Sequence, residues 1–182
     1  MPPAPKHSPH KIELNLHEVG QLFNTMDPAP FPEKDLDNDA EEFIFSWVHE
    51  FPLKEPVSLV VYLAEFPAVD NPQNVIAQGV HHYFAYRARL NRMELRRLLS
   101  DGQKSLFIGL AFLSVCLIAG RAVGDVGSTT FASIARESLT IAGWVAMWRP
   151  MQIYLYDWWP VRRRGRLYQK LSRMHVEVRK KG

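Results

Sequence analysis

The chain has little cysteine, with one thiol, Cys116, among 182 residues. A single cysteine excludes an internal disulfide, and no Cys-x-x-Cys pair is available for a metal or redox centre. Because Cys116 lies within an apolar run, we interpret it as a small packing residue. Residues 1–9 lack the apolar core and the cleavage site of a signal peptide, so we expect this Pro-rich segment to be disordered.

The sequence also lacks the motifs of common catalytic and cofactor sites. There is no phosphate-binding Gly-rich loop and no Gly-x-Ser-x-Gly. The acids that begin at Asp35 fail as a calcium loop, because the positions that need Gly and Glu hold Ala40 and Ser46. His81 and His82 are adjacent and therefore lie on different faces of a helix. We predict no metal, no cofactor and no enzymatic activity.

What the chain does contain is two long apolar runs. Residues 105–120 carry no charge, and counted to residue 123 this run spans roughly 28 Å as a helix, close to the hydrocarbon core of a bilayer at ~30 Å. The second run, 131–148, contains only Arg136 and Glu137 as charges. The link GDVGSTT is typical of a tight turn. We therefore predict a transmembrane hairpin within 105–160, with Arg121 and Glu137 as a candidate ion pair at its outer rim.

The inner end of the hairpin allows two interpretations, because Arg149-Pro150 interrupts the second run. In one, the helix continues with a kink to Trp159, and Arg149 pairs with Asp157 inside an assembly. In the other, which we favour, the spanning part ends at Trp148 and the following aromatic segment lies along the membrane interface, where Trp and Tyr are enriched. The candidates for contact with lipid or a partner are Trp148, Arg149, Asp157, Trp158 and Trp159.

Charge is distributed unevenly along the chain. Residues 1–73 hold 13 Asp and Glu against 4 Lys and Arg, whereas residues 161–182 hold 9 Lys and Arg against 1 Glu. Basic residues flank the hairpin on both sides, which by the positive-inside rule predicts a membrane protein with both termini in the cytoplasm. We interpret the basic tail as a contact for anionic membrane lipids and expect no nucleic acid partner.

The remaining sequence predicts an α+β cytoplasmic domain over 10–104, joined by a strand from the tail 161–182. Alternating apolar residues indicate strands at Lys11–His17 and Pro56–Leu63, the second more central, and a third at 174–179. We expect a mixed sheet of about three strands. Helices are predicted from near Asp39, with Glu42 at the capping-box position, and from Gln73 to about 100, with Asp101-Gly102 as a break or a kink.

Three stretches resemble a family of small bacterial two-helix membrane proteins: LFNTMDPAPFPEKDLDNDAEEFI, SLFIGLAFL and ESLTIAGWVAMWRPMQIYLYDWWP. The run WVAMWRP…YLYDWWP is the most specific part. The resemblance implies two membrane helices and a cytoplasmic domain. The resemblance implies no particular activity and no catalytic residue.

Together these features predict a non-enzymatic anchor or subunit of a membrane-associated assembly, which binds lipids and a protein partner or further copies of itself. The alternative is a homo-oligomeric channel or transport component built from several hairpins. In that alternative Gly109, Gly120 and Gly143 would allow helices of different copies to approach closely. Arg149, Asp157 and Glu137 would then line an axis.

Overall fold

The computed structural model describes residues 10–30, 33–67, 69–126 and 130–181, with the side chains of residues 125 and 126 left out. The chain divides into two compact units. The sheet unit comprises Met1–Asn91 and Arg163–Gly182, and the helical unit comprises Arg92–Arg162. The predicted disordered segment 1–9 and part of the predicted turn 124–130 lie outside the described residues.

The element order confirms the predicted α+β class. A 3-10 turn spans Val19–Gln21, and a π-helical turn spans Ile153–Asp157. The strands and α-helices, in chain order, are β1 His10–Leu16, α1 Asn38–Glu50, β2 Val57–Leu63, α2 Pro72–Val126, α3 Thr130–Ala146, α4 Trp148–Gln152, α5 Trp158–Leu171 and β3 His175–Lys180.

The sheet has three strands in the order β1-β2-β3, so β2 is central, as predicted. Both pairings are parallel, and the predicted mixed sheet was therefore wrong. The register places Ile12 beside Leu59 and Leu59 beside Val176. Helices separate each strand from the next, and such crossovers return the chain to the same end of the sheet, which makes neighbouring strands parallel.

The core of the sheet unit lies on one face of the sheet. Alternate strand residues point into it, and the opposite strand positions carry polar groups such as Lys11, Glu13 and Arg179. Each buried aliphatic side chain contributes about 1.5–3 kcal/mol relative to exposure. The fully buried members from strands and helices include Ile12, Leu59, Val61, Ile44, Val48, Ile76, Phe84, Leu167 and Leu171.

The free edge of β3 is covered by a side chain of α2. The Gln73 amide donates to the Val176 carbonyl at 2.8 Å and accepts from the Val178 N–H at 2.5 Å. One ring nitrogen of His81 lies 2.8 Å from the Met174 carbonyl. Because these groups pair with the strand's outward backbone groups, they protect an edge that could otherwise recruit another strand.

Two helix boundaries differ from the sequence prediction. The carboxylate of Asp37 caps α1 by accepting from the Asp39 N–H at 3.0 Å, so Ala40, not Glu42, occupies the third helical position and no capping box forms. The helix predicted to run from Gln73 to about 100, with a break or a kink at Asp101-Gly102, does not break there and continues as α2 to Val126. A single glycine costs only about 1 kcal/mol in a helix, which neighbouring helical residues offset.

In the helical unit, α2 packs beside α3. A Cβ built on Gly143 would lie 2.8 Å from Leu113 Cδ1 and 3.2 Å from Cys116 Cβ, and one on Gly109 would lie 3.1 Å from the Ala146 carbonyl oxygen. Cys116 is buried in this contact. Among the described residues, one helix is long and apolar enough to cross a membrane by length and composition, and only 17% of its most apolar stretch is buried.

Candidate functional site

The segment from Trp148 to Arg162, which we call the aromatic collar, is helical but irregular. Met147 interrupts the helical course after α3, and its N–H donates to the Trp144 carbonyl at 3.0 Å. The short helix α4, the π-helical turn and α5 then follow one another without a gap. The backbone thus follows the first interpretation, a helix that continues past Trp148. An orientation of the collar along a membrane interface stays a prediction.

Arg149 and Asp157 come together across the π turn. Arg149 Nη1 lies 3.5 Å from Asp157 Oδ2, and the two side chains are 62% and 29% exposed. At this exposure an ion pair contributes about 0–1 kcal/mol, so it does not explain why an arginine stands here. The guanidinium keeps most of its five N–H donors available.

The collar aromatics differ in their surroundings. Trp148 is 71% exposed and Trp159 is also exposed. Trp158 is held in place, since its indole N–H donates to the Tyr154 carbonyl at 2.8 Å and the Arg162 guanidinium lies 5.5 Å from its ring centre. One helical face forms a groove of about 430 Å³, lined by Trp148, Met151, Gln152, Leu155 and Tyr156.

The π turn is anchored on α2 at a position that the sequence did not reveal. Ile153 is 2% exposed, and its Cγ2 lies 2.9 Å from where a Cβ on Gly102 would be. The close approach of Ile153 is possible because residue 102 has no side chain. Gly102, interpreted from sequence as a break or kink, is therefore a docking position for the collar.

At the other end of the helical unit, Arg121 and Glu137 are both exposed. Among the ion pairs between described residues, none joins them, and their pairing at a membrane rim stays a prediction. Arg136 instead lies along α2, with its Cγ 3.6 Å from a Cβ built on Gly120. Glu137 and Arg136 line an open cleft of about 740 Å³ with Ser133 and Thr140.

Gly109, Gly120 and Gly143, which the channel alternative assigns to contacts between copies, lie in helix contacts within one chain. Gly109 faces the backbone of Ala146, Gly120 faces Arg136, and Gly143 faces α2. Because intramolecular neighbours already occupy these positions, they offer no small-residue surface to another copy.

A buried polar cluster in the sheet unit was missed by sequence reasoning. Glu41 is buried and accepts from the Tyr83 hydroxyl, from Arg87 Nε at 2.8 Å and from the Tyr168 hydroxyl at 3.3 Å. Burial, and then the hydrogen bond to Glu41, raises the pKa of Tyr83. Burial also raises the pKa of Tyr168. The available signal was spacing, since Glu41 lies three residues before Ile44 on the buried stripe of α1.

We interpret this cluster as a structural network that stabilises the fold. It joins α1, α2 and α5 through charge-assisted hydrogen bonds, and all four side chains are buried or half-buried. Across the described ranges, no group of three or more His, Cys, Asp or Glu side chains is placed to hold a metal ion.

Comparison of the chain with models of protein families, with curated proteins and with solved structures finds no match. Function must therefore be argued from the geometry of this chain alone.

Proposed function

We propose that the protein is an integral membrane protein that acts as a non-enzymatic anchor or subunit of a membrane-associated assembly. On this proposal α2 and α3 form a transmembrane hairpin, and the sheet unit binds a protein partner in the cytoplasm. The supporting observation is the exposed apolar surface of the helical unit.

That surface is extensive on both helices. The exposed side chains include Phe107, Ile108, Val115 and Ile118 of α2 and Phe131, Ile134, Trp144 and Val145 of α3. In water each Å² of such surface costs about 25 cal/mol relative to burial, and a contiguous patch of this kind is typical of a membrane or protein contact. The 17 residues of α3 correspond to about 26 Å of helix, close to the thickness of the hydrocarbon core.

The exposed face of α1 supports binding of a partner by the sheet unit. Phe43 and Trp47 are both exposed there, with ring centres 6.0 Å apart. Three exposed carboxylates, Asp39, Glu42 and Glu50, lie on the same helix, which contains no Lys or Arg. A protein segment with basic and apolar side chains would complement this face.

The membrane location is tested by extraction and by thiol accessibility. In a Cys116→Ala background, Thr130→Cys is expected to react with an impermeant maleimide in intact cells, and Ser46→Cys only after lysis. The protein should stay in the membrane pellet at alkaline pH. Release at alkaline pH would rule out an integral protein, and labelling of both positions from the same side would rule out a hairpin.

The anchor role is tested by native mass spectrometry of the protein purified from cells in detergent. We expect one chain in a fixed ratio with a different protein, and loss of that protein in the charge-reversed variant Asp39→Lys/Glu42→Lys. A symmetric homo-oligomer without any other component would contradict the anchor and favour the channel.

A further inference from the structure

We propose that the collar groove holds an acyl chain of one anionic phospholipid, whose phosphate is bound by Arg149. This proposal rests on the membrane location proposed above. It names the ligand class of the collar and assigns a role to each side chain along one helical face.

The shape of the groove suits an elongated apolar group. Its lining residues recur at intervals of three and four, which places them on one face of the helical segment. Trp148, Met151, Leu155 and Tyr156 are all exposed, so no apolar side chain among the described residues covers the groove. Its volume of about 430 Å³ is within the usual range for ligand sites.

The rim of the groove offers donors for a phosphate. Arg149 precedes the lining residue Gln152 by three positions, so the two side chains neighbour each other on the helix surface. The Tyr156 phenol stands one turn beyond Gln152. An exposed guanidinium can bind two phosphate oxygens at once, a geometry that a lysine cannot reproduce.

Charge decides between anionic and zwitterionic headgroups. The collar carries two arginines, Arg149 and Arg162, against one carboxylate, Asp157. An added cation such as choline would meet the arginines unfavourably, whereas an anionic headgroup is attracted by basic residues near the surface. The complementary ligand is therefore an anionic lipid such as phosphatidylglycerol.

Asp157 has a defined part in this site, because it competes with the phosphate for Arg149. Their separation of 3.5 Å is longer than that of a close charge-assisted hydrogen bond. The π turn holds the two residues in reach, and π turns are frequent at functional sites. Ile153, seated against Gly102, anchors this turn. Removal of the Asp157 charge should therefore strengthen lipid binding.

The test is native mass spectrometry of the full chain, released from nanodiscs that contain equal amounts of phosphatidylglycerol and phosphatidylcholine. The wild type should retain phosphatidylglycerol preferentially. Arg149→Gln should reduce that retention about fivefold, the equivalent of about 1 kcal/mol for one basic residue. Asp157→Asn should increase it, and Leu155→Trp, which fills the groove, should lower it.

Arg136→Gln is the matched control, since it removes an arginine at the opposite end of α3 and should retain lipid as the wild type does. Equal retention of the two lipids by the wild type, or unchanged retention in Arg149→Gln, would overturn the lipid site. If Arg149→Gln fails to fold, Asp157→Asn decides, because reduced or unchanged retention in that variant contradicts competition. Alkaline extraction of cell membranes that contain the wild type separates the two proposals. Release of the wild type from membranes would overturn both, whereas a retained protein without lipid selectivity would overturn the lipid site alone.

Discussion

Gly165 is the glycine with the closest neighbour among those described. A Cβ built on it would lie 2.3 Å from Asn91 Oδ1, far inside van der Waals contact. Asn91 is 5% exposed, and its Nδ2 has no hydrogen-bond partner among the residues that the structure describes. Within the sheet unit, α2 and α5 therefore approach each other closely at this point because residue 165 has no side chain.

We predict that Gly165→Ala lowers the free energy of unfolding by about 1–3 kcal/mol through overpacking. Asn91→Ala should lower the free energy of unfolding by less than the truncation of other buried side chains does, because it also removes the unpaired donor. The double variant should be more stable than Gly165→Ala alone. Thermal unfolding of the full chain in detergent, followed by circular dichroism, measures all three, and additive effects would contradict contact between the two residues.

Glu41 is the second residue whose neighbours determine its importance. It is the only described carboxylate classed as buried, and Arg87 pairs with it at 2.8 Å. Although burial opposes the charged form, Glu41 raises the pKa of Arg87. This ion pair therefore lies beside the apolar core of the sheet unit, next to the hydroxyls of Tyr83 and Tyr168.

Glu41→Gln is expected to destabilise the sheet unit by about 1.5–3 kcal/mol, because Arg87 loses a charged acceptor while the shape is kept. The control is Glu42→Gln, whose exposed side chain should change stability by about 0.5 kcal/mol or less. Chemical denaturation measures both. Equal effects would mean that the buried cluster contributes nothing beyond packing.

At the scale of elements, one loop is organised by Asp27. Its two carboxylate oxygens accept from the N–H groups of Asp35, at 2.8 Å, and Ala29, at 2.9 Å. These hydrogen bonds, the one from Asp35 first, hold the pKa of Asp27 below its usual value of 3.8. These hydrogen bonds therefore hold the loop that joins the 3-10 turn to α1.

Because the folded pKa of Asp27 is lowered, its contribution is present above pH 3.8 and is lost as the pH falls through the folded value. We predict that Asp27→Asn is less stable than the wild type at about pH 6 and that the difference shrinks at about pH 2.5. Denaturation at the two pH values measures it. A difference that persists unchanged in acid would exclude the carboxylate as its source.

The contact between α2 and α3 depends on Gly143. A valine there would collide with Leu113 and Cys116, whereas the same change at the exposed neighbour Ala142 would not. We predict that Gly143→Val separates the two helices and that Ala142→Val does not.

The buried thiol of Cys116 reports this separation directly. In detergent, Gly143→Val should react with a small maleimide about tenfold faster than the wild type, because reactivity follows exposure of the thiol. Equal rates for both valine variants would contradict a tight contact between the helices.

At the scale of the whole molecule, the helical unit is an insertion in the crossover between β2 and β3. The sheet unit takes its α2 and α5 residues from either side of this insertion, up to Asn91 and from Arg163 onward. Since Asn91 contacts Gly165, the two ends of the insertion meet. All strands and α1 belong to the sheet unit.

Replacement of residues 92–162 by a linker of about four Gly and Ser residues should leave a folded α+β protein, because domains with their own core tolerate changes at adjacent chain ends. We expect a cooperative thermal transition and a monomer in water without detergent. Aggregation of the excised protein would show that the sheet unit depends on the insertion.

Periodicity in the sequence determined much of this architecture. Alternation at 11–17, 56–63 and 174–179 predicted three strands, because side chains on a half-buried strand alternate between core and solvent. The uncharged run from Ser105 predicted a helix of membrane-spanning length. These signals are local, so they can be recognised in one segment without knowing which other segments it contacts.

Tertiary structure decided what depends on distant neighbours. The helical crossovers determined the direction of the strands. The alternation of residues within a strand does not indicate that direction. Glu41 became a buried partner of Arg87 and Tyr168, residues 46 and 127 positions away. Gly102 and Gly165 proved to be places of close approach. Arg149 met Asp157 across a π turn, and the groove beside them exists only in the folded helix. Composition and periodicity describe one segment at a time, whereas pairing, direction and close contact are properties of segments brought together.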